Sequence, residues 1–395
     1  MKGKNQKDLK EENTSMLLRL VRDNPDVSRI DVVRETSLTP PTVSRIVAFL
    51  TMNGVLSERK ADTSNIGRKP FYLAFVGGNF LAIVVEISYT FVLFAIADLN
   101  GGIKYKREIK TDTSISNSEL KKIILENVND LKRIFPSVIA VGMSSPGRVD
   151  PKKGVIVSIP NLRNISHFDI KDIEMVVNIP VFILNDANAE ALAERYFGEG
   201  REVKDFLLLH IGFGIGGGFV VNRKLYNGNF GVSLEIGHIS IDPNGLKCDC
   251  GNIGCVELYA SYNKILEDIA HAVNRDTLTE DEVVSLLKNK NSNAIEVIKK
   301  KASLIGQMLL SVVNVLAPEK IIVAGPAIKI SDFLIPAIKE VLYSKSFYGF
   351  GSGIKIVQSK LKENVGLIGA MSVVLEEFLD HPYEFIGRRA MTRKQ

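Results

Sequence analysis

The chain has 395 residues, 45% of them hydrophobic and 24% charged, with a formal net charge of +5, which is material for two or three domains with ordinary cores. Three cysteines, an odd number with two of them one residue apart, argue against a disulfide-bridged secreted scaffold. The opening "MKGKNQKDLKEENTSM" carries no apolar signal segment, and the longest apolar stretch, Phe80 to Ala97, is broken by Glu86, Ser88, Tyr89 and Thr90, so a cytoplasmic protein without a membrane partner is expected.

Charge is concentrated at the start. Residues 1–70 hold 13 Lys/Arg against 9 Asp/Glu, so +4 of the +5 lies there, and a local positive excess attracts a polyanion. Within "DVSRIDVVRETSLTPPTVSRIVAFLTMNGVLSERK", Ser28 is placed to cap a helix running to about Thr36, with Ile30, Val32 and Val33 among its apolar positions. Thr39 is placed to cap a second helix that has Pro40 at its first position. That helix spaces Val43, Ile46, Val47 and Leu50 on one face and shows Thr42, Ser44 and Arg45 on the other. Short polar and forked basic side chains near a helix N-terminus suit base edges and phosphates. Gly54 ends the helix, and "ADTSNIGRKP" suits a wing bearing Arg68 and Lys69, with Arg59 and Lys60 beside it. A winged helix-turn-helix over residues 1–70 that binds double-stranded operator DNA is expected, with candidate contacts Thr39, Thr42, Ser44, Arg45, Arg68 and Lys69. A small helical bundle used for dimerisation or as a lid, with Arg68 an ordinary solvated residue, stays open.

After Pro70 strands alternate with helices. "FLAIVVEISYTFVLFAIADLNGG" reads as two strands and a turn at Asn100-Gly101-Gly102. "VIAVGMSSPG", "PVFILNDAN" and "KIIVAG" are short buried strands, and "FLLLHIGFGIGGGFVV" is strand, glycine turn, strand. Helices are expected at Ala187–Phe197 and Ala302–Leu316. This α/β texture places ligands where strands end.

All three cysteines fall in "CDCGNIGC": Cys248, Cys250 and Cys255, with His238 ten residues upstream in "EIGH". Three thiolates and one imidazole form a closed tetrahedral set suited to structural zinc, with no open position for catalysis. The other reading is three buried reduced cysteines and a satisfied core histidine.

"EIGH" followed by "CDCGNIGCVELYAS" resembles the signature of the ROK family, named for repressors, open reading frames and kinases, and the resemblance extends over nearly all of residues 10–395. It implies an N-terminal winged helix-turn-helix joined to a two-lobed actin/hexokinase-like (ribonuclease H-like) α/β domain at 71–395. The lobes are expected at approximately 72–190, joined by the C-terminal helix, and 191–370. It also implies that Asn185, Asp186, Glu235, His238 and Glu257 surround a monosaccharide, whose hydroxyls need a fixed fan of donors and acceptors, with zinc bracing the loop. Asn161 resembles a further sugar contact, although a turn residue is the other reading, and Gly147 resembles a sugar-side turn.

In a kinase of that family Asp186 would be the base accepting the sugar hydroxyl's proton, with glycine turns holding Mg-ATP. The first phosphate turn, Asp-x-Gly-Gly-Thr in the family, corresponds here to Glu86-Ile87-Ser88-Tyr89-Thr90, without either glycine. The second, Gly212 to Gly218, keeps its glycines around Gly214, yet Phe213 stands where a threonine is usual; positive φ in a hairpin is one reason for glycines to persist there. The third, Val323 to Ala327, has the single glycine Gly325. The expectation is a sugar-responsive repressor, dimeric so as to span two half-sites, binding sugar in a cleft with a degraded ATP site. The alternative is an ATP-dependent glucose or N-acetylglucosamine kinase that retains a DNA-binding domain.

Overall fold

The computed structural model describes residues 6–60, 71–228 and 234–392. It divides into two compact units, one of residues 1–143, 168–183 and 370–395 and the other of 144–167 and 184–369.

The first unit begins with α1 (Gln6–Asp23), which buries Thr14, Leu17, Leu18 and Val21 at three- and four-residue spacing. Helix α2 (Arg29–Thr36) starts in a capping box between Ser28 and Asp31. It is so short that Val32 is its one buried position, and Ile30 points outward, 77% exposed. Helix α3 (Pro40–Met52) buries Val43, Ile46, Val47 and Leu50, the expected face. Thr39 stands at its N-cap without a side-chain capping bond, and the Thr39 and Thr42 hydroxyls bond each other at 2.9 Å.

Strands β1 (Leu56–Lys60) and β2 (Phe71–Phe75) pair antiparallel, Leu56 opposite Phe75 and Lys60 opposite Phe71, and the Leu73 N–H donates to the Val27 carbonyl at 2.8 Å. The boundary expected after residue 70 therefore falls inside this strand pair, and Phe71–Phe75 group with the N-terminal strands. Three helices followed by an antiparallel pair is the element order of a winged helix-turn-helix. The segment expected to form a wing, with Arg68 and Lys69, lies outside the described residues.

The first five-stranded sheet runs Val181–Asn185, β6 (Val138–Ser145), β3 (Leu81–Ile87), β4 (Phe91–Asp98), β5 (Ile103–Lys110). The apolar stretch from Phe80 becomes the antiparallel neighbours β3 and β4, as its polar interruption implied. Helix α4 (Asn117–Ile134) joins β5 to β6, opened by a Ser116–Glu119 capping box. The C-terminal helices Val365–Asp380 and Pro382–Thr392 complete the unit from Ala370 onward. There Phe378 lies 4.9 Å from Phe80 and 5.6 Å from Phe385, ring centre to ring centre.

The second unit holds a sheet of matching strand order: Lys224–Leu225, Ile215–Val221, Phe206–Ile211, Lys320–Ala324, Lys355–Gln358. Its last three strands are parallel neighbours, and such strands are covered on both faces and read as unbroken apolar runs. Leu207, Leu209 and Ile211 face a large core with Ile305, Leu309 and Ile338. Phe206 and Leu208 face Ala187 and Ala191 of the helix Asp186–Phe197. That helix and residues 144–167 group with this second unit, so the chain crosses near residue 184 rather than near 190. Among the described residues no helix is long and apolar enough to cross a membrane.

None of Gly212, Gly214, Gly216, Gly217 and Gly218 has positive φ, so hairpin geometry is not what keeps them. A Cβ on Gly218 would lie 2.6 Å from both the Ala187 carbonyl oxygen and the Ala191 Cβ. The helix backbone requires a glycine at 218, and on the other face a Cβ on Gly217 would meet Ile236 Cδ1 at 2.9 Å and Leu234 O at 3.0 Å. Replacing Gly218 by alanine should destabilise the fold by about 1–3 kcal/mol, the usual effect of overpacking, read as a lower denaturation midpoint in urea.

Candidate functional site

The loop 246–256 is pinned by its own backbone. Cys248 N–H donates to Asn252 O at 2.8 Å, Gly251 N–H to Cys248 O at 3.0 Å and Gly254 N–H to Leu246 O at 2.8 Å. Gly251 and Gly254 take φ of 94° and 77°, and a Cβ on Gly254 would meet Asp242 O at 1.8 Å. These turns gather Cys248, Cys250, Cys255 and His238 so that their ligand atoms all lie within 4.8 Å of one another. Cys250 Sγ to Cys255 Sγ and Cys248 Sγ to His238 Nδ1 are each 3.6 Å. A tetrahedral centre with metal–sulfur bonds of about 2.3 Å sets its ligands about 3.8 Å apart, so the cluster fits a metal such as zinc. All three thiols are free. Burial pushes the Cys248 thiol up to about 12, and a bound cation would reverse that by favouring the thiolate, so metal binding there releases protons.

Glu257, the first residue of a short helix directly after this loop, reaches back to it. Its Oε1 is 3.2 Å from His238 Nδ1 and 3.5 Å from Cys248 Sγ, and a Cβ on Gly214 would come within 3.1 Å of its Oε2. The carboxylate thus stands between the metal cluster and the glycine turn. The Glu235 carboxyl is raised above the usual range, chiefly by desolvation, opposed by the charges of His238 and Arg148 and reinforced by Glu257. Arg148, which acts on Glu235 from the residue after Gly147, was not singled out in the sequence.

Asn185 and Asp186 sit where the strand Val181–Asn185 becomes a helix. Asn185 is that helix's N-cap: its Oδ1 accepts from Asn188 N–H at 3.4 Å, and its amide donates to Gly147 O at 3.0 Å. Much of its polar capacity is therefore structural, and it ties the Gly147 turn to the helix start. Asp186 is half-buried, and burial pushes its carboxyl up to about 6, against the pull of His210 and with the repulsion of Glu190 and Glu235. His210 Nδ1 lies 2.9 Å from the buried Glu190 Oε2. This pair also escaped the sequence, since strand periodicity assigns His210 no chemistry. Asn161 is exposed in a turn closed by Leu162 N–H to Ile159 O at 3.0 Å, and no hydrogen bond ties it to the carboxylates.

On the N-terminal helices Thr39, Ser44 and Arg45 are exposed and Thr42 half-exposed. Arg59 is engaged with Asp26.

Residues 82–377 match the ROK family. The chain belongs to the ROK family. The xylose repressor of Bacillus subtilis is 28% identical over 376 residues, spanning 94% of this chain and 97% of its own. A solved ROK family transcriptional regulator, described as a homolog of the Escherichia coli MLC protein, shares the fold along 98% of this chain and 99% of its own, with 23% identity and a TM-score of 0.81. A ROK family glucokinase from Streptomyces griseus, solved with glucose and AMPPNP, is 26% identical with a TM-score of 0.64, and covers 75% of this chain and 98% of its own.

The turns that the sequence likens to phosphate turns carry internal backbone bonds at Ser88 and Gly212. In the first unit, Ser88 N–H donates to Phe91 O at 2.9 Å, and none of Ser88, Tyr89 or Thr90 has positive φ. This tight hairpin engages the Ser88 amide within itself. In the second unit, Gly212 N–H donates to Gly214 O at 2.9 Å, Phe213 is 40% exposed, and a Cβ on Gly212 would meet the His210 ring at 2.6 Å and Pro326 Cδ at 3.3 Å. Gly325 has φ of 80° and is followed by Pro326, which has no N–H to offer.

A carboxyl whose folded-state pKa lies above its unfolded value stabilises the fold only while protonated, so the Asp186 contribution is present below about pH 3.8 and lost as pH rises to about 6. Asp186→Asn should therefore be more stable than the wild type at pH 8, by up to about 2–3 kcal/mol, with the difference vanishing near pH 3.5. Denaturant melts at the two pH values check it.

Proposed function

We propose that the protein is a sugar-responsive transcriptional repressor of carbohydrate genes, acting in the cytoplasm as a homodimer. The observation that carries this reading is coverage: relatives named as repressors span 94% and 95% of the chain, whereas the glucokinase covers 75% of it. The part that precedes the matched family residues is the three-helix and strand-pair segment with its half-exposed Thr42 and exposed Ser44 and Arg45. In this reading α3 enters the major groove, and Thr39, Thr42, Ser44 and Arg45, with Arg68 and Lys69 on the wing, contact operator DNA.

The monosaccharide is held by Asp186, Glu235, His238 and Glu257 with Asn185 and Asn161, around a loop fixed by structural zinc. Carboxylates accept from sugar hydroxyls and the second imidazole nitrogen of His238 remains for one more hydrogen bond. The metal supplies only rigidity to the loop that carries Glu257. Sugar binding shifts the protein between arrangements that differ in sugar affinity, and so alters how two copies of α3 meet two half-sites. The engaged amides and the proline in the phosphate turns support a site that binds sugar without phosphorylating it. A carboxyl near pH 6 at Asp186 is what a general base requires, and this favours the kinase alternative enough to test it.

Purified protein should carry about one zinc per chain, and Cys250→Ser should lose it together with most of the sugar-induced thermal shift. A screen of D-xylose, D-glucose and N-acetyl-D-glucosamine should raise the melting temperature with at least one sugar. Mg-ATP should yield no sugar phosphate, and turnover at an ordinary rate of about 1 per second or more overturns the reading. Arg45→Ala should lose roughly 1–3 kcal/mol of discrimination between a selected operator and random duplex; equal loss on all sequences would remove α3 as the reading helix.

A further inference from the structure

Asp186 and Glu190 stand one turn apart at the start of the helix Asp186–Phe197 and so share a face. The strand Phe206–Ile211 turns Phe206 and Leu208 towards this helix, where they meet Ala187 and Ala191. Period two then brings His210 to the same side. Its Nδ1 lies 2.9 Å from Glu190 Oε2, and the two side chains are only 18% and 6% exposed. Asp186 Oδ1 accepts from the Ala187 N–H at 2.8 Å, which fixes that carboxyl at the helix start.

Two turns leave room for the imidazole because they lack methyl groups. A Cβ on Gly212 would come within 2.6 Å of His210 Nε2, and one on Gly325 within 2.9 Å of its Cε1 and 3.1 Å of its Nδ1. A buried carboxylate on one ring nitrogen also fixes the orientation of the imidazole. The groups that act on the Asp186 carboxyl come from three elements: His210 on the strand attracts its charge, while Glu190 on its own helix and Glu235 repel it. Arg148, His238 and Glu257 act on Glu235 in turn. His210 weighs more heavily on Asp186 than Glu190 does.

We propose that His210, oriented by Glu190 and seated between Gly212 and Gly325, is a positioning residue that acts through Asp186, an internal cation that keeps this carboxylate ionised and ready to accept from a sugar hydroxyl. An opposite charge nearby favours the ionised form of a carboxyl, so loss of the His210 charge leaves Asp186 holding its proton more tightly. Glu190, deprived of its partner, then either stays ionised and repels Asp186 or takes up a proton. Asp186 rises in both cases, because the attraction that is lost exceeds the repulsion that Glu190 supplies. The part concerning sugar rests on the function proposed above; the coupling of His210 to Asp186 does not.

The test compares wild type, His210→Asn and His210→Gln as full-length protein, with Asp186→Asn to identify the Asp186 signal. Both replacements keep an N–H donor and remove the charge. In a carbon-13 titration of labelled aspartate, the Asp186 midpoint should rise by about one pH unit in His210→Asn, roughly a tenfold gain in proton affinity. His210→Gln should show the same rise, and decides the matter if His210→Asn does not fold. Calorimetry with D-xylose, D-glucose and N-acetyl-D-glucosamine supplies the second readout. For a sugar that wild type binds, affinity should fall as pH drops through about 6. In the variants that fall should begin about one unit higher, and the affinities should converge with wild type above about pH 8. An Asp186 midpoint that stays in place or moves down overturns the coupling. A loss of sugar affinity by the same factor at every pH overturns the action through Asp186 and makes His210 a packing residue. If none of the three sugars binds wild type, it is the sugar-binding reading that fails, and the titration alone decides the coupling.

Discussion

The close seating of the helix Asp186–Phe197 on the strand Ile215–Val221 is the contact on which the sensor site depends. Gly216 and Gly218 lie under the helix, and at Gly218 the helix backbone comes so near that a methyl group would collide with Ala187 O. That approach sets Asp186 at the helix start, puts Glu190 one turn on against His210, and leaves Asn185 free to cap the helix while holding Gly147. A slightly larger separation would part Glu190 from His210, since that pair is the one of the three that reaches from the helix to the sheet. Interiors packed at crystal-like density transmit such a shift rather than absorb it.

Much of this was legible in the sequence, and the reasons are local. The α3 face Val43, Ile46, Val47, Leu50 follows from helical period, and the split of the Phe80–Ala97 stretch follows from its polar interruption. The cysteine cluster is a short-range pattern that loop turns at Gly251 and Gly254 convert directly into a ligand set. What escaped was non-local. His210 reads as one more strand residue until Glu190, twenty positions earlier, is folded against it. Arg148 reads as a turn residue until its charge is set near Glu235. The opening of α1 looks merely polar because its buried positions, Thr14 to Val21, begin only in its second half. The boundary near residue 70 failed for a related reason: strand pairing between β1 and β2 joins residues on both sides of a polar segment that looks like a linker.

The two sets of candidate ligands have fared differently. Glu235 raises the Asp186 carboxyl, His238 and Glu257 act on Glu235, and Glu257 lies 3.2 Å from His238, a chain of charge contacts of the kind found in polar sites. The turns expected to match phosphate turns direct amides to neighbouring carbonyls, at Ser88 and at Gly212. A donor already satisfied by a carbonyl has to break that bond before it can serve an anion, and the net gain is small.

The glycine-rich strand also bears on how such chains are read when their history is unknown. A glycine that a helix requires for its seat, as at 218, cannot be discarded whether or not a lineage handles nucleotides, because the first methyl group to arrive would collide with the helix. Survival of that motif is therefore a record of architecture, and a descendant can wear the insignia of a phosphotransferase long after retiring from the trade.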